Sequence, residues 1–255
     1  MFKFQEKIHK SNLVKKIRAQ IYSKSGPGYF IINKFISSSL ADNIFHRWFE
    51  TNFIDNFAQY YPNKNVNFET PNYCYRKPSN DDLIFAVNIW NPEPDTELND
   101  IVYEAQKVRN VIEGKPLTNG LRVSDDYLLS YRFCKTVSNQ VAVKYHQDFF
   151  EEFRPDPAGS QQFDPVRCQL TLIFSNYGED YDSGGFYFTN TEGKEILFGK
   201  DVPVEKGDLI IWKYNHLHTI RNINAINPNK GFVRIIFPYF DNFNMIAKES
   251  FKAKP

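Results

Sequence analysis

Cysteine is scarce in this chain. Only Cys74, Cys134 and Cys168 occur among 255 residues, and no two stand in CxxC spacing. An odd, scattered set of this kind excludes a disulfide framework and a cysteine-held zinc, and it predicts a reduced, cytoplasmic setting. An excess of one charge is also missing, with 31 basic against 30 acidic residues. A nucleic-acid or anionic-membrane partner would leave net basicity or a clustered patch, so neither is expected. The basic N-terminal residues Lys3, Lys7, Lys10, Lys15, Lys16 and Arg18 read instead as the solvated side of an amphipathic helix. Long apolar runs are absent, which predicts no membrane-spanning helix, and the opening MFKFQEKIHK lacks the apolar core of a secretory signal.

Aromatic residues are plentiful, with 24 Phe and 15 Tyr, as suits a strand-rich core filled with rings. Residues 28–33 (GYFIIN) read as a short strand after a Pro-Gly turn. Ser37, Ser38 and Ser39 then offer N-caps for a helix carrying Leu40, Ile44, Phe45, Trp48 and Phe49 at helical spacing. Residues 54–96 read as loops with short strands. A second helix carries Leu98, Ile101, Val102, Ala105, Val108 and Ile112 on one face and stops at Gly114. From residue 127 the pattern changes to eight strand-like runs: 127–134, 141–146, 167–176, 184–189, 194–199, 208–213, 217–223 and 232–240. Such spacing predicts a mainly β sandwich or barrel with N-terminal helices against one outer face. We expect a single domain over 1–255: a helical and mixed buttress (1–126), a β core (127–240) and a C-terminal tail (241–255).

Five histidines occur, and His146, His216 and His218 lie in the strand-rich half. His146 and Asp148 form an H-x-D pair, whose side chains point to one face if the strand continues through them. A later strand bringing a third ligand would complete a two-histidine, one-carboxylate face on iron(II), with coordination positions left open. His216 and His218 share strand parity and compete for that place. Arg234, in GFVRIIFPYF, presents a planar fork matched to a carboxylate. Buried in a barrel it requires an anionic partner.

His146-Gln-Asp148, RCQLTLIFSN with DSGGFYF (182–188), GDLIIW (207–212), His218 and Arg234, taken in order, resemble the iron(II)- and 2-oxoglutarate-dependent oxygenase superfamily, and its prolyl-hydroxylase-like branch in particular. The segment GYFIINKFISSSLADNIF also resembles the opening of that branch. The resemblance spans roughly residues 28–50 and 127–240. It implies a double-stranded β-helix (jelly roll) with iron(II) on His146, Asp148 and His218, which would be the catalytic centre. It also implies 2-oxoglutarate on Arg234, dioxygen as oxidant, and ascorbate as a stimulant. His218 is favoured over His216 because Thr-Ile-Arg-Asn-Ile after it resembles the family's segment after the distal histidine.

The sequence departs from the family in two places. Ile236 stands two positions after Arg234 where many relatives carry a hydroxyl, and Phe174 aligns with a co-substrate-binding tyrosine of some members. Tyr131 and Thr171 are the replacement hydroxyls expected in the co-substrate pocket. Arg167, opening the long strand, is a candidate for an acidic group of the substrate. Arg221, three positions from His218, is expected on the opposite, exposed face. Segment 149–166 reads as a lid or a passive surface loop. Asp148 occupies the place that is small in related halogenases, so hydroxylation, desaturation or ring formation is expected. The function expected is hydroxylation of an unactivated C–H bond of a small molecule, an amino acid or natural-product intermediate, with release of succinate and CO2. A peptide or protein side chain is the alternative substrate, and a non-catalytic jelly-roll binding protein the alternative role.

Overall fold

The structure is a computed structural model and describes residues 11–51, 73–76, 86–89, 95–121, 125, 127–129, 131–138, 143–148, 167–238 and 240–241. Segment 149–166 and the lysine-rich tail lie outside the described residues. Helices α1 (Ser11–Tyr22), α2 (Ser38–Phe49) and α3 (Thr96–Glu113) accompany strands β1 (Tyr29–Ile32), β2 (Tyr73–Arg76), β3 (Ala86–Ile89), β4 (Tyr127–Leu128), β5 (Arg132–Thr136), β6 (Val143–His146), β7 (Cys168–Ile173), β8 (Tyr181–Thr189), β9 (Glu195–Leu197), β10 (Leu209–Lys213), β11 (His218–Ala225), β12 (Phe232–Ile236) and β13 (Phe240–Asp241).

The helices form where their caps and apolar faces agree. Ser37 Oγ accepts the Leu40 N–H at the start of α2, whose Ala41, Ile44, Phe45 and Trp48 are buried at helical spacing. Asp95 caps α3 through the Leu98 N–H, and the same carboxylate takes hydrogen bonds from Trp48 Nε1 and Arg47 of α2. One buried side chain therefore starts one helix and ties it to another. Gly114, at φ 73°, ends α3, with Lys115 N donating back to Asn110 O. In α1 the residues Ile17 and Ile21 are fully buried, so the basic helix has one solvated side and one packed side.

Two antiparallel sheets face one another as a jelly roll. The major sheet has the order β1-β10-β7-β12-β5 and the minor sheet β6-β11-β8-β9. Strand alternation divides the core into two parts. Leu170, Leu172, Leu209, Ile211, Val233 and Ile235 point from the major sheet to the helices. Ile173, Ile210, Trp212 and Phe232 point the other way, toward Phe186, Phe188 and Ile220 of the minor sheet. Each such fully buried aliphatic or aromatic side chain contributes about 1.5–3 kcal/mol to folding.

One boundary differs from the sequence expectation: the 127–134 run is divided between β4, which pairs with β13, and β5, which joins the major sheet. The strand expected at 28–33 forms as β1 and adds an edge strand to the major sheet, with Tyr29 opposite Trp212. The apolar side chains of a four-residue run cannot announce which edge they will cover.

The Gly-Asp step before β10 is structural. Gly207 has φ 97°, and a Cβ there would stand 2.4 Å from Ile36 O. Buried Asp208 accepts Lys34 N at 2.7 Å, Glu205 N at 2.9 Å and Asn33 Nδ2 at 3.3 Å. Asp208→Ala strands those donors and is expected to lower stability by about 3 kcal/mol. Urea denaturation checks this as a fall in midpoint with unchanged slope.

Candidate metal centre

β6 and β11 are hydrogen-bonded neighbours, and their register places His146 opposite His218. The two imidazole centroids are 4.2 Å apart. Asp148 lies just past the end of β6 and turns back between them, with Oδ1 at 3.5 Å from His146 Nε2 and Oδ2 at 3.9 Å from His218 Nε2. The three donor atoms lie within 4.8 Å of one another, a spacing that could hold one metal ion. Among the described residues no other group of three such side chains meets that spacing.

Backbone carbonyls fix both imidazoles. His146 Nδ1 stands 2.7 Å from Lys144 O, and His218 Nδ1 stands 2.9 Å from His216 O. A carbonyl only accepts, so each Nδ1 carries the proton and each Nε2 lone pair is left for a metal. Hydrogen bonding to Asp148 holds His146 above the ordinary histidine pKa. Burial pushes His218 below it. Trp212 packs 4.5 Å from His218, centroid to centroid, and Phe186 meets it edge-on.

His216 is held elsewhere. It lies before β11 in a turn closed by its own N–H to Lys213 O, so strand parity does not reach it. Its Nδ1 meets Thr189 O at 2.8 Å, and its ring stacks on Phe188 at 5.0 Å. Arg221 faces outward, paired with Glu195 and lying over Tyr187.

Arg234, 3% exposed, shares the inner face of the major sheet with Phe232, whose ring lies 4.7 Å from the guanidinium. Nη1 donates to Thr136 Oγ1 at 3.1 Å. No carboxylate among the described residues pairs with Arg234, although burial disfavours its charge. A dicarboxylate would satisfy that guanidinium, so the residues present fit 2-oxoglutarate as well as a metal.

The other expected site residues are dispersed. Thr171 is on the inner face, where its Oγ1 accepts the Trp212 indole N–H at 3.1 Å. Arg167, nearly buried, opens β7, and its carbonyl accepts Tyr214 N. Tyr131 is not brought to the histidines. It is fully buried in the helix-side core, on the face of the major sheet away from Arg234, because it shares the parity of Phe133. Phe174 lies in that same core against Phe133, so its missing hydroxyl removes nothing from the inner face.

Sequence reasoning missed Thr136 and Tyr181. Thr136, on β5, offers Arg234 a hydroxyl, whereas Ile236 carries none. Tyr181, buried against Phe232, lies in the field of Arg234, and burial raises its pKa. The segment EDYDS looks like a turn, yet Tyr181 opens β8.

No protein-family model and no curated protein matches the sequence. Solved structures do resemble it. A prolyl-4-hydroxylase from Pseudomonas putida superposes with TM-score 0.54 at 12% identity, over 89% of this chain and 98% of that one. A prolyl hydroxylase from Trichoplax adhaerens, in complex with a hypoxia-inducible-factor degradation-domain peptide, gives 0.51 at 13% identity over 97% of each chain. The non-haem α-ketoglutarate-dependent carbocyclase SnoK of nogalamycin biosynthesis gives 0.54 at 13% identity, over 91% of this chain and 85% of that one. This chain therefore has the fold of the iron(II)- and 2-oxoglutarate-dependent oxygenases, with a His-x-Asp and a distal His gathered at one end of its jelly roll.

Proposed function

We propose that the protein is an iron(II)- and 2-oxoglutarate-dependent oxygenase that hydroxylates an unactivated C–H bond of a small molecule, an amino acid or a natural-product intermediate. The observation that carries this is the pairing of two features across one interior: a donor trio with both histidine tautomers fixed, and a buried arginine that no carboxylate among the described residues pairs with. Each feature alone has other uses. Together they match a metal and a dicarboxylate bound side by side.

His146, Asp148 and His218 would hold the metal from one side. Arg234 would grip the far carboxylate of 2-oxoglutarate, with Thr136 orienting the guanidinium. Bound iron(II) and 2-oxoglutarate supply, with dioxygen, the oxidising power for C–H hydroxylation, and the co-substrate leaves as succinate and CO2. Trp212 and Phe186 pack against His218, and Phe188 against His216, so the interior side of the centre is walled by aromatic rings. Asp148 fills the third protein position, which favours hydroxylation over transfer of a halide.

Succinate release tests the reading. Purified protein given iron(II), ascorbate and 2-oxoglutarate, with a panel of amino acids and peptides, is expected to form succinate. His146→Ala is expected to form none above the protein-free blank. Equal release from wild type and His146→Ala contradicts the assignment.

A further inference from the structure

The interior around Arg234 is mostly apolar. Cys134 on β5 and Ile173 on β7 stand directly opposite it across the sheet, and Phe232 lies two residues along β12 on the same face. Phe186, Phe188, Ile220 and Ile223 face them from the minor sheet. Of the buried members of this inner cluster, two side chains carry an N–H or O–H donor, Trp212 and Tyr181. The Trp212 indole N–H is engaged by Thr171 Oγ1 at 3.1 Å. Tyr181 is 2% exposed, and its hydroxyl has no hydrogen-bond partner among the described residues. A buried hydroxyl without a partner is a cost to the ligand-free fold that a ligand acceptor would offset.

Tyr181 and Arg234 meet on one ring. The Tyr181 centroid is 5.2 Å from that of Phe232, and the Arg234 guanidinium lies 4.7 Å from the same centroid. The phenol comes from β8 of the minor sheet and the guanidinium from β12 of the major sheet, so they enter the interior from opposite walls. Bare backbone makes room for the phenol. A Cβ at Gly185 would stand 2.9 Å from Tyr181 Cε2, and one at Gly199 would stand 3.5 Å from its hydroxyl. Among the described residues no hydrogen bond joins Tyr181 to Arg234. Both groups are donors: the guanidinium has no lone pair to offer, and burial keeps the phenol protonated. Beyond Thr136, what the two lack among the described residues is an acceptor, and one oxyanion would serve both.

We propose that Tyr181 is a second anchor for the far carboxylate of 2-oxoglutarate, donating its phenol O–H from the minor sheet while Arg234 grips from the major sheet. Ile236 carries no hydroxyl and Phe174 belongs to the helix-side core, so in this chain the donor comes from the opposite wall of the jelly roll. The inference rests on the oxygenase reading and assigns to Tyr181 part of the choice of a dicarboxylate over a monocarboxylate 2-oxo acid.

The test measures binding rather than turnover. The full chain, loaded with zinc(II), is titrated calorimetrically with 2-oxoglutarate and with 2-oxovalerate, which has the same carbon chain and no far carboxylate. Tyr181→Phe, which removes the hydroxyl and keeps the ring, is expected to weaken 2-oxoglutarate about tenfold, the loss of one hydrogen bond to a charged group, and to leave 2-oxovalerate within about twofold. Without ligand the variant is expected to melt at or above wild type, because the hydroxyl it loses has no partner in the fold. Equal 2-oxoglutarate affinity in wild type and Tyr181→Phe overturns the proposal. An equal fractional loss for both 2-oxo acids overturns it too, by making Tyr181 a packing residue, as does a ligand-free variant that melts well below wild type. Wild type that binds zinc and takes up no 2-oxoglutarate sinks the oxygenase reading itself, and this proposal with it.

Discussion

His218→Ala is expected to abolish iron(II) binding, weakening it by at least about 100-fold, while His216→Ala leaves it within about twofold of wild type. The two histidines are two residues apart and chemically identical, so the contrast is a demanding one. His218 offers a free Nε2 to the same point as His146 and Asp148. His216 spends its Nδ1 on Thr189 O and its ring face on Phe188. What His216 does contribute to the centre is its backbone carbonyl, which orients His218, and an alanine keeps that carbonyl. The side-chain substitution therefore costs stability, about 1–2 kcal/mol for a stacked ring and one hydrogen bond, without touching the metal. Equilibrium dialysis against iron(II) under anaerobic conditions measures both variants. Equal losses would mean that the trio is wrongly chosen.

Arg234 carries the second large effect. Arg234→Met should raise the KM for 2-oxoglutarate by about 100-fold or more, since the proposed charge-assisted, two-pronged grip on a carboxylate would be removed from a buried site. Arg234→Lys retains charge without the fork and should fall between. The same substitution should move stability in the opposite direction. A buried guanidinium whose hydrogen-bond partner among the described residues is a single hydroxyl is a cost to the ligand-free fold. Arg234→Met is thus expected to melt above wild type when no ligand is present, and below it when 2-oxoglutarate is saturating, because the ligand stabilises only the chain that binds it. Thermal denaturation with and without 2-oxoglutarate reads that crossing. A variant that is less stable than wild type in both conditions would make Arg234 a structural residue.

Much of this was legible in the residues because each signal was local. The α3 face, its stop at Gly114, the apolar run before Trp212 and the H-x-D pair all report on positions a few residues apart. What escaped depended on distant pairing. Nothing in YFII says that β1 will cover the edge of β10. Thr136 reaches Arg234 only because β5 and β12 pair in one register, with Cys134 opposite the arginine. Tyr131 was a reasonable hydroxyl by position, but its parity follows Phe133 into the helix-side core, and the break between β4 and β5 hid that. His216 and His218 share a parity that holds only on a regular strand, and the turn before β11 cancels it for His216.

The most direct test of the central claim is anaerobic titration of iron(II) and then 2-oxoglutarate into the apoprotein, followed by visible absorption. A 2-oxo acid chelated to iron(II) gives a weak charge-transfer band. That band is expected in wild type and in His216→Ala and is expected to be missing in His218→Ala. Folded wild-type protein that develops no band at saturating iron(II) and 2-oxoglutarate would contradict the account, and would leave a jelly roll put to some other use.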